Sequence, residues 1–323
     1  MTATKILITR ALPEMVIRAA EAAFDVTVRA ETTPLSHAEM LQALAQYDGI
    51  LATLGDGFSA DVFAKAAEGK IRCKIIANFG VGYNHIDVEA AKSHGITVSN
   101  TPGAVTEATA DTAMTLILMS ARRAGAGERM LRAGQWDGWH PVQMLGLHVS
   151  GKTVGIVGMG RIGQAIARRC HFGFGMQVRY FNRSAKTVDF PARQVQSLEA
   201  LAAQVDILVV ATPGGQETRH LINSEILAAM PPHAHLINIA RGEVVEEAAL
   251  ITALENGVIG GAGLDVYEFE PEVPEALRRL ENATLLPHMG TATLEVREAM
   301  GRMALDNLTE FFGGKTAPNS VNS

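Results

Sequence analysis

The sequence predicts an α/β protein built from two doubly wound domains, and three observations carry that expectation. Short runs of branched apolar residues alternate with longer stretches of helical spacing, the alternation restarts after one long helical segment, and 323 residues are about twice a typical domain.

In chain order, the first runs span residues 5–9, 25–29, 49–53, 74–78 and 96–99, and the helical stretches between them imply parallel strands with crossover helices. Asn100-Thr-Pro-Gly103 then breaks the pattern. From 105 to about 123, apolar residues recur at close spacing (Ala110, Ala113, Met114, Leu116, Ile117), so this helix reads as the crossing between domains. The second series occupies 153–157, 177–181, 206–211, 235–239, 261–267 and 284–286. Six strands with helices between them describe a dinucleotide-binding sheet. A last helix over 294–312 lies beyond this sheet and is expected to pack on the first domain. There is no repeat of fixed period and no low-complexity segment apart from a short polar tail over 318–323.

The composition narrows the function. A net charge of -6, with acidic and basic residues dispersed, argues against a nucleic-acid or anionic-membrane surface. The two cysteines, Cys73 and Cys170, each lie in a segment that reads as buried, so neither a disulfide framework nor a zinc cluster is expected, and no metal. The first residues enter a strand without a basic and then apolar leader, and no apolar run approaches the roughly 20 residues of a membrane span. The expected compartment is the cytoplasm.

Gly158-Met-Gly160-Arg161-Ile162-Gly163 lies between the strand at 153–157 and a helix over 164–169. In that context the first glycine lets the chain turn, the second lets backbone approach a pyrophosphate, and the third lets helix and strand pack closely. The helix N-terminus supplies free N–H groups and positive dipole to the phosphates. An NAD-binding version carries an acidic residue about 20 positions on, at the end of the second strand. Here that place reads Tyr180-Phe181-Asn182-Arg183-Ser184: the carboxylate is missing, and a guanidinium able to bind a 2'-phosphate stands beside the gap. NADP(H) is therefore the preferred coenzyme. NAD(H) is the alternative, in which Asn182 bonds the ribose and Arg183 is a solvated charge.

Three further segments end strands of the second series: Ile239-Ala240-Arg241-Gly-Glu243, Leu264-Asp265-Val-Tyr-Glu-Phe-Glu270-Pro271 and Leu286-Pro-His288-Met-Gly290-Thr-Ala-Thr293. Following a dinucleotide turn in this order, they resemble the D-2-hydroxyacid dehydrogenase family, as do Ala77-Asn-Phe-Gly80-Val81-Gly82-Tyr-Asn-His-Ile-Asp87 and Asn100-Thr-Pro-Gly-Ala-Val-Thr-Glu-Ala-Thr-Ala-Asp111. Asn182-Arg183-Ser184 and Trp136-Asp-Gly-Trp139-His-Pro141 most resemble its glyoxylate/hydroxypyruvate reductase branch.

The resemblance implies a Rossmann dinucleotide-binding domain over 101–289, inserted in a flavodoxin-like substrate domain made of 1–100 and completed by 290–323. It implies reduction of a small 2-oxo acid to the 2-hydroxy acid. Hydride delivery puts negative charge on the carbonyl oxygen, so a proton donor must stand within hydrogen-bond reach. By resemblance that donor is His288, held by Glu270, whose carboxylate favours the protonated imidazole. Arg241 would clamp the substrate carboxylate, and the backbone of Val81 and Gly82 would complete the anion site. Asp265 would hold the nicotinamide carboxamide. The remaining coenzyme contacts implied are Thr106, Thr212, Pro213, Thr218, Ile239, Ala240, His288 and Gly290. Leu54 would line the substrate pocket, and Trp139 would reach the active site of the neighbouring subunit of a homodimer and favour small substrates.

Competing readings are weaker. A formate dehydrogenase of this fold carries Gln where this sequence has Glu270. A dinucleotide-sensing corepressor would be expected to carry additional flexible tails, and an S-adenosylhomocysteine hydrolase-like chain would be longer and lack the Arg, Glu, His order. A broader dehydrogenase acting on 2-ketogluconate or phenylpyruvate is the alternative within the family.

Overall fold

The computed structural model describes residues 4–322. The chain divides into two compact units, residues 4–105 with 291–322, and residues 106–290.

In the first unit five parallel strands, β1 (Lys5–Ile8), β2 (Asp25–Val28), β3 (Gly49–Ala52), β4 (Ile75–Asn78) and β5 (Thr97–Ser99), lie in the order β2-β1-β3-β4-β5. The central strands β3 and β4 are buried at every position, which is why they read as continuous apolar runs. The crossover helices start at residues that satisfy their first N–H groups. Ser36 and Glu39 form a reciprocal capping box on His37–Gln46, while Ser59 caps Ala60–Ala67 and Asp87 caps Val88–Ser93. The helix Leu294–Phe312 belongs to this unit, with Leu308 and Phe312 packed over Gly49.

The polar stretch from 318 is held against β5 of this unit. Val321 N–H donates to the Val98 carbonyl at 2.8 Å, and Asn322 Oδ1 accepts from Val98 N–H at 2.8 Å while its amide donates to Ile96 and Val88. An asparagine side chain thus covers the open edge of β5 as a further strand would. Ser323 lies outside the described residues.

The second unit holds seven parallel strands: β6 (Thr153–Val157), β7 (Gln177–Phe181), β8 (Ala192–Gln194), β9 (Ile207–Val210), β10 (His235–Asn238), β11 (Gly261–Leu264) and β12 (Ala283–Leu285). Their order is β12-β11-β10-β9-β6-β7-β8. The edge strand β8 adds to the six expected; its residues, Ala-Arg-Gln, carry no apolar run. Strand β11 stops at Leu264, short of the expected 267, because the chain turns at Asp265. The helix Thr106–Ala121 buries Ala110, Ala113, Leu116 and Ile117 in the same core as β6 and the helix Arg161–Phe174. The chain runs from β6 outward to β8 on one side and through β9 to β12 on the other, so the sheet changes direction at β6. Ligands of such sheets bind outside the strand C-termini at that point. Among the described residues no helix is long and apolar enough to cross a membrane.

Candidate active site

The glycine turn follows β6 as the strand order requires. Gly158 has φ +95°, and a Cβ there would lie 2.8 Å from the Ala211 carbonyl carbon; a Cβ on Gly163 would lie 2.1 Å from the Gly158 carbonyl oxygen. These two glycines serve the chain's own turn and helix packing. Gly160 is different: a Cβ there would meet nothing within 4 Å, so the chain itself does not demand glycine. It stands at the start of the helix Arg161–Phe174, longer than the 164–169 read from sequence, which has no side-chain cap and no acidic residue in its first turn. The N–H groups of Arg161, Ile162 and Gly163 and the helix dipole suit an anion, so these residues fit a dinucleotide pyrophosphate.

Asn182, just beyond β7, accepts from Met159 N–H through Oδ1 at 3.1 Å and donates from Nδ2 to the Ser184 carbonyl at 2.8 Å. It braces the turn. Arg183 reaches Glu217 at 3.1 Å. Thr212 and Pro213 follow β9, and the Thr218 hydroxyl donates to the Pro213 carbonyl at 2.7 Å.

Three more strand ends bear ionisable side chains. After β10, Asn238 accepts from Ala240 N–H and donates to the Arg241 carbonyl, both at 3.0 Å, which shapes the Ile239-Ala240-Arg241 segment. Arg241 Nη1 donates to the Ala240 carbonyl at 2.6 Å. Burial pushes its guanidinium pKa down, against the opposing charges of Glu270 and Glu243. After β11, the buried Asp265 accepts from Met289 N–H and Gly290 N–H, both at 2.8 Å, and so fixes the loop that bears His288. Burial raises this carboxyl above its usual range despite those two donors.

His288 Nδ1–H donates to Glu270 Oε2 at 2.7 Å. Burial alone would raise Glu270, but the bond and charge of His288, the Tyr267 N–H and Arg241 outweigh it and hold the carboxyl below its usual range. With Nδ1 committed to the carboxylate, Nε2 accepts in the neutral ring and donates in the charged one. His288 has φ +51°, a left-handed backbone that histidine adopts more readily than most residues.

Asp265→Asn tests the anchoring. An amide accepts through one oxygen where the carboxylate offers two, so one buried N–H loses its partner. The expected loss is about 1–3 kcal/mol of stability, read as a lower urea midpoint; an unchanged midpoint would show that the two bonds do not hold the loop.

In the first unit, the loop after β4 is shaped by two asparagines. Asn78 Nδ2 donates to the carbonyls of Gly80 and Gly82 at 3.0 Å, and Asn100 Nδ2 donates to the Val81 carbonyl at 2.8 Å. Across a trans peptide the next N–H points opposite to the carbonyl. The N–H groups of Val81 and Gly82 therefore face away from the asparagines that hold the preceding carbonyls. Leu54 follows β3 in this unit and is 36% exposed. In the second unit Thr106 is the first residue of its helix, and Trp136 and Trp139 are exposed at 51% and 81%.

Arg241, Asp265, Glu270 and His288 are thus joined by hydrogen bonds or charge within one unit. The sequence reading missed the residues that brace each unit's loops: Asn78 and Asn100 in the first, and in the second Asn238 and Glu243, whose carboxylate accepts from Gly215 N–H at 2.9 Å. An asparagine at the last position of a strand was the available signal for Asn78 and Asn238. Burial pushes both cysteine thiols up to about 12, so neither is a nucleophile.

The family model described as D-isomer specific 2-hydroxyacid dehydrogenase, NAD binding domain, matches residues 114–290. The chain belongs to this family. Glyoxylate reductase of Pyrococcus furiosus is 43% identical over 98% of this chain and 95% of its own. A solved protein of Thermus thermophilus superposes with a TM-score of 0.90 at 41% identity, covering 98% of this chain and 100% of that one. The NADPH-dependent glyoxylate/hydroxypyruvate reductase of Sinorhizobium meliloti, solved with NADP and malonate, gives 0.87 at 37% identity over 98% of this chain and 96% of that one. This D-2-hydroxyacid dehydrogenase is an oxidoreductase that works between 2-hydroxy and 2-oxo acids with a nicotinamide dinucleotide.

Proposed function

We propose that this dehydrogenase reduces a small 2-oxo acid, glyoxylate or hydroxypyruvate, with NADPH, and that His288 is the general acid. The observation that carries the reading is the 2.7 Å bond from His288 Nδ1 to Glu270, with Arg241 in the same electrostatic group. The bound coenzyme supplies the hydride. Nε2 of the imidazolium gives its proton to the substrate's carbonyl oxygen as negative charge develops there, and Glu270 stabilises the charged ring beforehand. Arg241 binds the substrate carboxylate through its planar fork. Val81 and Gly82 offer N–H groups to an anion of the same kind. Gly158, Gly160, Arg161, Ile162 and Gly163 take the pyrophosphate; Asn182, Arg183 and Ser184 take the adenosine end. Thr106, Thr212, Pro213, Thr218, Ile239, Ala240, Asp265 and Gly290 complete the coenzyme site.

The reading includes a cytoplasmic homodimer in which Trp139 shortens the neighbouring subunit's pocket. Leu131, Val142 and Leu145, exposed at 61–74%, are apolar surface a second copy would cover.

Initial rates with glyoxylate, hydroxypyruvate, pyruvate, phenylpyruvate and 2-ketogluconate, each with NADPH and NADH, test the whole. The expected leaders in kcat/KM are glyoxylate or hydroxypyruvate with NADPH. Higher values for phenylpyruvate or 2-ketogluconate would overturn the size preference. For the coenzyme, Asn182→Asp combined with Arg183→Ala supplies the carboxylate that suits free ribose hydroxyls and removes the phosphate's cation. Its expected result is a shift of kcat/KM toward NADH, and an unchanged ratio would remove the assignment.

A further inference from the structure

Arg183 and Glu217 stand 34 residues apart in sequence, one beyond the end of β7 and the other in the short turn Gln216–Thr218 after β9, with 3.1 Å between Nη1 and Oε2. The carboxylate is presented from a pinned backbone: the Thr218 hydroxyl holds the Pro213 carbonyl, and Gly215 N–H donates to Glu243. Both side chains are largely in solvent, at 90% and 84% exposure. An exposed pair of this kind contributes little to folding. Its consequence is for what else the guanidinium can bind.

We propose that Glu217 is the counter-ion that stands in for a coenzyme 2'-phosphate at Arg183, and that it limits how strongly this chain prefers NADPH over NADH. The proposal rests on the reading above that Arg183 takes that phosphate. With NADH, which has no 2'-phosphate, the ion pair stays intact and Arg183 is not left uncompensated. With NADPH, a group of nearly two negative charges must displace the carboxylate from Nη1 or sit beside it on the same guanidinium. Either arrangement weakens phosphate binding, by competition for donors or by like-charge repulsion at short range in a screened medium. Glu217 therefore acts on one coenzyme and is indifferent to the other. It makes the adenosine end tolerant of both.

The test is equilibrium binding, without substrate or turnover. NADP+ and NAD+ are titrated calorimetrically into the parent enzyme, Glu217→Gln and Arg183→Ala; both sites are exposed, so neither change reaches the core. Glu217→Gln is expected to tighten NADP+ by about threefold to tenfold and to leave NAD+ unchanged. Arg183→Ala is expected to weaken NADP+ selectively. If Arg183→Ala lowers the preference for NADP+ but Glu217→Gln leaves it unchanged, the counter-ion role is overturned while the phosphate site stands. If Arg183→Ala leaves the preference unchanged, the phosphate site itself is overturned, and the counter-ion role with it.

Discussion

His288→Gln is expected to lower kcat by about a hundredfold to ten-thousandfold while leaving the coenzyme dissociation constant nearly intact. Glutamine can still donate to Glu270, so the pairing seen at Nδ1 is partly kept. What is lost is a second nitrogen that carries a proton only when the ring is charged, and hence the transfer to the carbonyl oxygen. The backbone at this position has φ +51°, where glutamine is less at ease than histidine, so His288→Asn is the companion variant. Asparagine adopts the left-handed conformation readily and also lacks an acid. Single-turnover rates and coenzyme binding on both variants separate chemistry from folding, and near-normal turnover in either would end the assignment.

The partner carboxylate gives that prediction a pH limb. Glu270 is held below its usual range in the folded protein. Its stabilising contribution is therefore fully present above the unfolded carboxylate value, about 4.3, and is lost as pH falls through the lowered folded value. The bond that orients His288 therefore weakens only as pH falls through that lowered value.

How far the sequence disclosed this arrangement depends on the range of the interactions involved. Strands such as Ile75–Asn78 and Ile207–Val210 were legible because burial on both faces leaves a continuous apolar run. Ala192–Gln194 was not, because an exposed edge strand needs no apolar side chains. The short run 320–322 concealed a packed segment, since Asn322 meets its partners at Ile96 and Val98 only after more than 200 residues of chain have folded. The site divides the same way. Arg241, Glu270 and His288 were recognisable as residue types at successive strand ends, whereas the 2.7 Å contact of His288 with Glu270 exists only once β11 and β12 lie side by side. The bracing amides of Asn78 and Asn100 bond loop carbonyls that no local pattern identifies.

Arg241→Lys retains the charge and removes the fork, and its expected cost is about tenfold to a hundredfold in kcat/KM for the oxo acid, the scale of one charge-assisted hydrogen bond lost. Coenzyme affinity should change little. The larger effect comes from burial. The Arg241 environment lowers a cation's pKa, and arginine tolerates this because its ordinary value lies above 12. Lysine begins near 10.4, so the same burial brings its ammonium toward neutrality within the working range. The variant's kcat/KM should therefore fall as pH rises, while the parent's carboxylate clamp stays charged throughout. Arg241→Ala with added guanidinium ion is the complement: a small cation entering the space should restore part of the lost kcat/KM, with no effect on the parent. A lysine variant that matches the parent at every pH, and an alanine variant indifferent to guanidinium, would require the substrate carboxylate to be bound by another residue.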